Sequence, residues 1–226
     1  MELLHLSARI VEAYIGEYAS GKSEVAINRA LELVDEGRKV TLVDLDTVEP
    51  FYTLRPIKGL LTERGLEVIA WETKDLKGLG ETGVVLHPDI PWVLRREGDV
   101  ILDVGYGVGG AKTLNLVEGA MESKELRAIA VINISRPMTG SLRDVVEYIQ
   151  ELELVHSIIN NSHLGDLTDL EIIEQGARVV TEAARILGLP VEATVVEEKW
   201  RGTMGSHDVM GNPIRFIKRY MKESFW

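Results

Sequence analysis

The chain contains no cysteine. Disulfides and thiolate-held metals are therefore excluded, and a cytoplasmic protein is expected. No run of about 18 uninterrupted apolar residues occurs, so no transmembrane helix is expected. The opening MELLHLSARIVEAY lacks a basic region and a small-residue cleavage site, which argues against export. Positive charge is scarce: 25 Lys and Arg face 36 Asp and Glu, a net charge of −11. Binding to nucleic acid or anionic lipid draws on a Lys/Arg surplus, so no nucleic-acid partner is expected. The five histidines form no i, i+4 pair, and G-x-S-x-G is absent. A helical zinc site and a nucleophile elbow are thus not indicated. No internal repeat or Pro/Ser-rich linker breaks the chain, so residues 1–226 are expected to form a single domain.

What is present is an alternation of short apolar runs and longer helical patterns. The runs lie at 9–15, 40–43, 66–71, 100–104, 128–134, 157–159 and 191–196. Most are apolar throughout rather than alternating, which suits strands buried on both faces of a parallel sheet. Helical faces appear over 23–36 (Ile27, Ala30, Leu31, Val34), 141–152 (Leu142, Val145, Val146, Ile149) and 168–187 (Ile173, Ala177, Val180, Ala184). The last is headed by a Thr168-x-x-Glu171 capping box. The pattern predicts a doubly wound α/β fold, a mostly parallel sheet of about seven strands with helices on both faces. Two long segments, 44–59 and 72–98, interrupt it and are expected to be functional loops.

Gly16-Glu17-Tyr18-Ala19-Ser20-Gly21-Lys22-Ser23 matches G-x-x-x-x-G-K-[ST], between an apolar strand and an amphipathic helix opened by Glu24. Glycines let backbone N–H groups turn inward, and the helix N-terminus adds partial positive charge where phosphates would sit. Lys22 is expected to reach the β- and γ-phosphates and Ser23 to ligate Mg²⁺. Two later strands end in carboxylates, Asp44 with Asp46 beyond it, and Asp103. Ligands of open α/β sheets bind at such carboxyl ends. Asp103 is the expected Walker B-type residue, with Asp44 beside the metal and Asp44 and Asp46 positioning the nucleophile.

The loop, the strand ending "LVDLD" and the strand ending "ILDVGYG" together resemble the MinD/ParA/CobQ–CobB group of P-loop NTPases, of the SIMIBI class, with dethiobiotin synthetase as a metabolic cousin. The resemblance runs over nearly the whole chain, through "INISRP", "SIINNS" and "LGLPVEATVVEE". It implies an ATPase with the second-strand aspartates near Mg²⁺ and the attacking water. It also implies that an asparagine after the sixth strand meets the base edge. That asparagine is Asn160 or Asn161, with Asn160 favoured, and the segment from Pro190 would flank the base. One position departs from the group. Glu17 stands where MinD and ParA proteins usually carry a signature lysine that reaches across a nucleotide-sandwich dimer, so a homodimer is an open expectation. No [NT]-K-x-D element occurs, which favours ATP over GTP.

Two functions follow from the resemblance. One is a nucleotide-driven switch whose loops are sensed by a protein partner; the other is a biosynthetic enzyme that activates a small carboxylate-type substrate with ATP. Arg55 is expected to cap a helix or touch phosphate, and Arg136 to close the fifth strand as a turn. A C-terminal helix is predicted at about 213–224, capped by Asn212 and carrying Arg215, Lys218, Arg219 and Lys222. Docking of that helix on the sheet is expected over attachment to a membrane.

Overall fold

The structure, a computed structural model, describes residues 8–46, 54–71 and 87–221. Its strands are β1 (Val11–Gly16), β2 (Val40–Leu45), β3 (Glu67–Ile69), β4 (Asp99–Val104), β5 (Leu126–Ile132), β6 (Ser157–Asn160), β7 (Val191–Glu197) and β8 (Ile214–Ile217). Helices α1 (Lys22–Asp35), α2 (Lys58–Glu63), α3 (Gly107–Ala111), α4 (Leu142–Glu151) and α5 (Leu170–Leu187) lie between them. The strands form one sheet in the order β3-β2-β4-β1-β5-β6-β7-β8, and every pairing is parallel.

Strands β1, β2 and β4 are buried at every position, which explains why their sequences lack alternation. On one face, Ile27, Leu31, Leu33 and Leu61 of α1 and α2 pack on Leu42, Ile101 and Ile129. On the other, Val145, Ile149, Val180 and Ala184 of α4 and α5 pack on Ala13, Val43, Leu102 and Ala130. From β1 the chain steps one way to β2, and from β5 onward it builds the other way, so the crevice above β1 is the topological switch point.

The C-terminal expectation is corrected. Instead of a helix starting at 213, Ile214–Ile217 form β8, which raises the strand count to eight. The apolar residues Ile214, Ile217, Met221 and Phe225 fit a helical face on paper. However, the outer edge of β7 would otherwise expose unpaired backbone groups, and Thr194 to Glu197 pair with Ile214 to Ile217. Asn212 caps no helix; its amide donates to Thr181 Oγ1 (2.8 Å) and Asp208 Oδ2 (3.0 Å). Residues 218–221 are irregular, and Lys222 lies outside the described residues. No described helix is long and apolar enough to cross a membrane.

Two smaller differences follow from local hydrogen bonding. Helix α5 is capped by Asp169, whose carboxylate accepts from Ile172 N–H at 2.9 Å, while Thr168 Oγ1 bonds back to Gly165 O. Within segment 44–59 the described residues form a 3₁₀ turn at Arg55–Ile57 leading into α2, and within 72–98 a 3₁₀ turn at Ile90–Arg95. The intervening 47–53 and 72–86 lie outside the described residues.

Candidate functional site

Strand β1 ends at Gly16, and the chain turns through Glu17 to Gly21 before entering α1 at Lys22. Glycine is required at both ends of the turn. A Cβ at Gly16 would lie 2.6 Å from Val131 O of β5, and one at Gly21, where φ is +82°, would lie 2.2 Å from Asn161 Nδ2. Ser20 N–H donates to Glu17 O (3.2 Å), and Asn161 Nδ2 donates to Ser20 O (2.7 Å). The loop is therefore fixed from inside and from the end of β6. The first amides of α1, which have no acceptor within the helix, open at this point.

Behind the loop stands an acidic wall. Asp44 and Asp103 occupy matched positions on the paired strands β2 and β4. Asp103 is 1% exposed, and neither carboxylate oxygen has a partner at hydrogen-bond distance, though the Ser23 hydroxyl lies close enough to favour the ionised form. Burial pushes its pKa up to about 7; the Asp44 and Asp46 charges add to this, and Lys22 and the Ser23 hydroxyl oppose it. Lys22 is itself buried. Asp44 accepts from Asp46 N–H (3.0 Å) and faces Arg55 Nε at 3.5 Å. The structure thus brings together Lys22, Ser23, Asp44, Asp46 and Asp103, and adds Arg55.

Among the described residues no group of three His, Cys, Asp or Glu is arranged to hold a metal unaided. Mg²⁺ is usually held by one or two carboxylates, waters and the oxygens of a phosphate ligand. A hydroxyl at Ser23 and a buried carboxylate without partners at hydrogen-bond distance at Asp103 fit that demand.

Beside the loop, at the carboxyl ends of β6 to β8, lies a cleft that is open to solvent. Gly21, Asn161, His163, Val195, Trp200 and Met221 are among the residues that line it. Asn161, the alternative, borders the cleft, whereas Asn160 is turned into the fold. Asn160 Nδ2 donates to Thr194 Oγ1 (3.1 Å), and its Oδ1 accepts from Ser162 Oγ (2.7 Å). Pro190 is not at the site. It precedes β7 at the amino end of the strand, five residues or about 16 Å before Val195, while Val195, Val196 and Glu197 of the same segment line the cleft. Glu24 borders the cleft, but its carboxylate accepts from the backbone N–H groups of Tyr220 and Met221.

Three cleft residues carry no signal in the sequence reading: His163, Trp200 and Met221. Burial, together with the charges of Arg136 and Arg219, lowers the His163 pKa to about 4, so the ring is neutral near pH 7. Its Nδ1 accepts from Gly165 N–H at 3.2 Å. The indole N–H of Trp200 is buried without a partner. The doubled asparagine and the polar run "NNSH" were the only available hints.

On the α4 side of the loop, Tyr18 packs edge-on against Tyr106, with ring centroids 5.4 Å apart. Burial raises the Tyr148 hydroxyl pKa, and the Glu17 charge raises it further. Glu17 is therefore close enough to α4 to act on Tyr148. Ala19 is buried in a left-handed backbone conformation (φ 54°). Arg136, at the end of β5, is half-buried with its Nε unpartnered, and burial lowers its pKa.

No protein-family model matches the chain, and no curated protein does. Solved structures do. FtsY of Thermotoga maritima shares 19% identity at a TM-score of 0.56, over 83% of this chain and 61% of that one. FlhF complexed with GTP and Mg²⁺ shares 12% at 0.52, over 83% and 65%. A nucleotide-binding protein from Archaeoglobus fulgidus in complex with ADP shares 13% at 0.50, over 84% and 83%. The chain spans about three fifths of the length of the FtsY structures it matches. At these identities the likeness is one of fold alone, an α/β P-loop NTPase fold with a parallel sheet.

Proposed function

We propose that this chain is a Mg²⁺-dependent nucleoside-triphosphate switch of the MinD/ParA-like kind, that it hydrolyses its ligand, and that ATP is the preferred nucleotide. One observation carries the reading: a glycine-built loop presents a buried Lys22 to a buried Asp103 whose oxygens have no partner at hydrogen-bond distance. In this reading the 16–23 backbone and Lys22 hold the phosphates, while Ser23, Asp103 and Asp44 hold hydrated Mg²⁺. Asp44 and Asp46 orient the attacking water. The ion would neutralise phosphate charge; the chain's own residues bind, align and exclude solvent.

The carboxylates near the base cleft support adenine. Guanine presents two adjacent donors that a carboxylate reads. Glu24 is taken up by backbone amides, Glu197 pairs with Lys199 at 2.9 Å, and exposed Asp166 pairs with Arg219. The solved neighbours include complexes with ADP, GDP and GTP, so the base is a matter for direct measurement. With Glu17 in place of the signature lysine, any homodimer would have to complete its phosphate site with another cation.

Calorimetric titration with ATP and GTP, with and without Mg²⁺, on the wild type and Lys22→Ala tests the proposal. Mg²⁺-dependent ATP binding that Lys22→Ala abolishes is expected. Tighter binding of GTP would overturn the base assignment. Binding of neither nucleotide, or an unaffected Lys22→Ala, would overturn the switch.

A further inference from the structure

Beyond β8, residues 218–221 run across the first turns of α1, tied there by two side chains one helical turn apart. Asn28 holds Lys218 by both backbone groups: its Nδ2 donates to Lys218 O (2.8 Å) and its Oδ1 accepts from Lys218 N–H (2.9 Å). Glu24, at i−4 on the same helix face, accepts from Tyr220 N–H (2.9 Å) and Met221 N–H (2.6 Å). Arg219 pairs with Asp166, in the turn after β6. The segment is thus tied to both the helix that follows the phosphate loop and the loop that carries Asn161. Ile217, Arg219 and Met221 line the same cleft as Asn161 and Trp200.

We propose that residues 218–221 form a wall of the base cleft, and that Glu24 and Asn28 are positioning residues that determine how tightly the nucleoside part of the ligand is held. The proposal rests on the reading of the site as a nucleotide site. The wall is fastened to the helix whose N-terminus faces the phosphates, so phosphate loop and base cleft keep a fixed separation. Unfastened, the wall withdraws Met221 and Arg219 from the base, while the phosphate loop keeps its own hydrogen bonds to Glu17 and Asn161. The loss therefore falls on nucleoside binding and spares the bare polyphosphate.

The test compares ATP with inorganic tripolyphosphate, both with Mg²⁺, on the wild type, Asn28→Ala and Glu24→Ala, and follows hydrogen exchange at the Tyr220 and Met221 amides. In Asn28→Ala, whose side chain is remote from the phosphate loop, ATP affinity should fall about tenfold while tripolyphosphate stays within about twofold. Glu24→Ala should do the same more strongly, with Glu24→Gln restoring part of the loss. In the wild type, ATP should slow exchange at both amides and tripolyphosphate should not. An equal fall for both ligands in a folded Asn28→Ala, no fall, or exchange indifferent to ATP would overturn the wall. Wild-type protein that binds tripolyphosphate as tightly as ATP would also remove the wall but leave the phosphate site standing. Wild-type protein that binds neither would remove the nucleotide reading itself.

Discussion

Arg55 Nε lies 3.5 Å from the Asp44 carboxylate, and the two side chains are only 4% and 1% exposed. Arg55 therefore neither caps a helix by itself nor waits at the surface; it balances one of the carboxylates crowded behind the phosphate loop. Removing one member of a buried pair leaves the other charged and desolvated, which costs about 3–5 kcal/mol. Arg55→Ala should lower unfolding stability by about that amount in urea titration. The double variant Arg55→Met with Asp44→Asn should recover much of it. Equal stability of Arg55→Ala and wild type would remove the pair from the argument.

Asp103 gives the ligand-free protein a pH signature. Its pKa is about 7 in the folded chain, held up first by burial, against an ordinary carboxylate value of 3.8 when unfolded. Between those values the folded state holds a proton that the unfolded state has released. Stability is therefore fully present below the lower value and declines as pH rises toward 7. Asp103→Asn should make the ligand-free protein more stable at pH 8, by about 4 kcal/mol at most, and leave it unchanged near pH 4. The same substitution should abolish Mg²⁺-dependent nucleotide binding. Thermal melts at the two pH values, paired with calorimetry, check both halves.

Gly21→Ala should fail twice over. A side chain at φ +82° costs about 1–2 kcal/mol, and its Cβ would meet the Asn161 amide that fixes the loop. Loss of nucleotide binding is expected, with a melting temperature several degrees lower, about 2–4 °C per kcal/mol in a chain of this size. Asn161→Gly should relieve the clash in the double variant without restoring affinity, because the Ser20 anchor goes with it.

A buried polar chain links the β6 end to the loop before β8. Thr194 Oγ1 accepts from Asn160 and donates to Asp208 Oδ2 at 2.6 Å. Thr194→Val keeps the shape and removes both bonds, so denaturant unfolding should show a loss of about 1–3 kcal/mol. A larger effect on ATP binding than on stability would show that this chain also holds Asn161 in place.

Much of this was legible from residues in a row. Continuous apolar runs identify strands covered on both faces, and the glycines, Lys22 and Ser23 between such a strand and a helix mark the turn for which phosphate binding is proposed. The aspartates Asp44 and Asp103 are readable too, because both sit where an apolar run stops. What fails are features decided by distant partners. Ile214 to Ile217 is as good a helix as a strand until the open edge of β7 claims it. Asn160 and Asn161 are chemically identical neighbours, and only the pleat of β6 turns one toward Thr194 and the other toward Ser20. Glu24 looks like a phosphate-loop residue, but its partners come from the far end of the chain.

That last arrangement fixes an order of events during synthesis. Residues 16–23 are made before the 218–221 segment that Glu24 and Asn28 grip, and that segment is made after every other described part of the site. At about 5–20 residues per second, synthesis from Asn161, which anchors the loop, to Met221 takes several seconds. If the chain is the nucleotide switch proposed above, a growing chain complete through Asn161 would hold polyphosphate before it could distinguish one nucleoside from another.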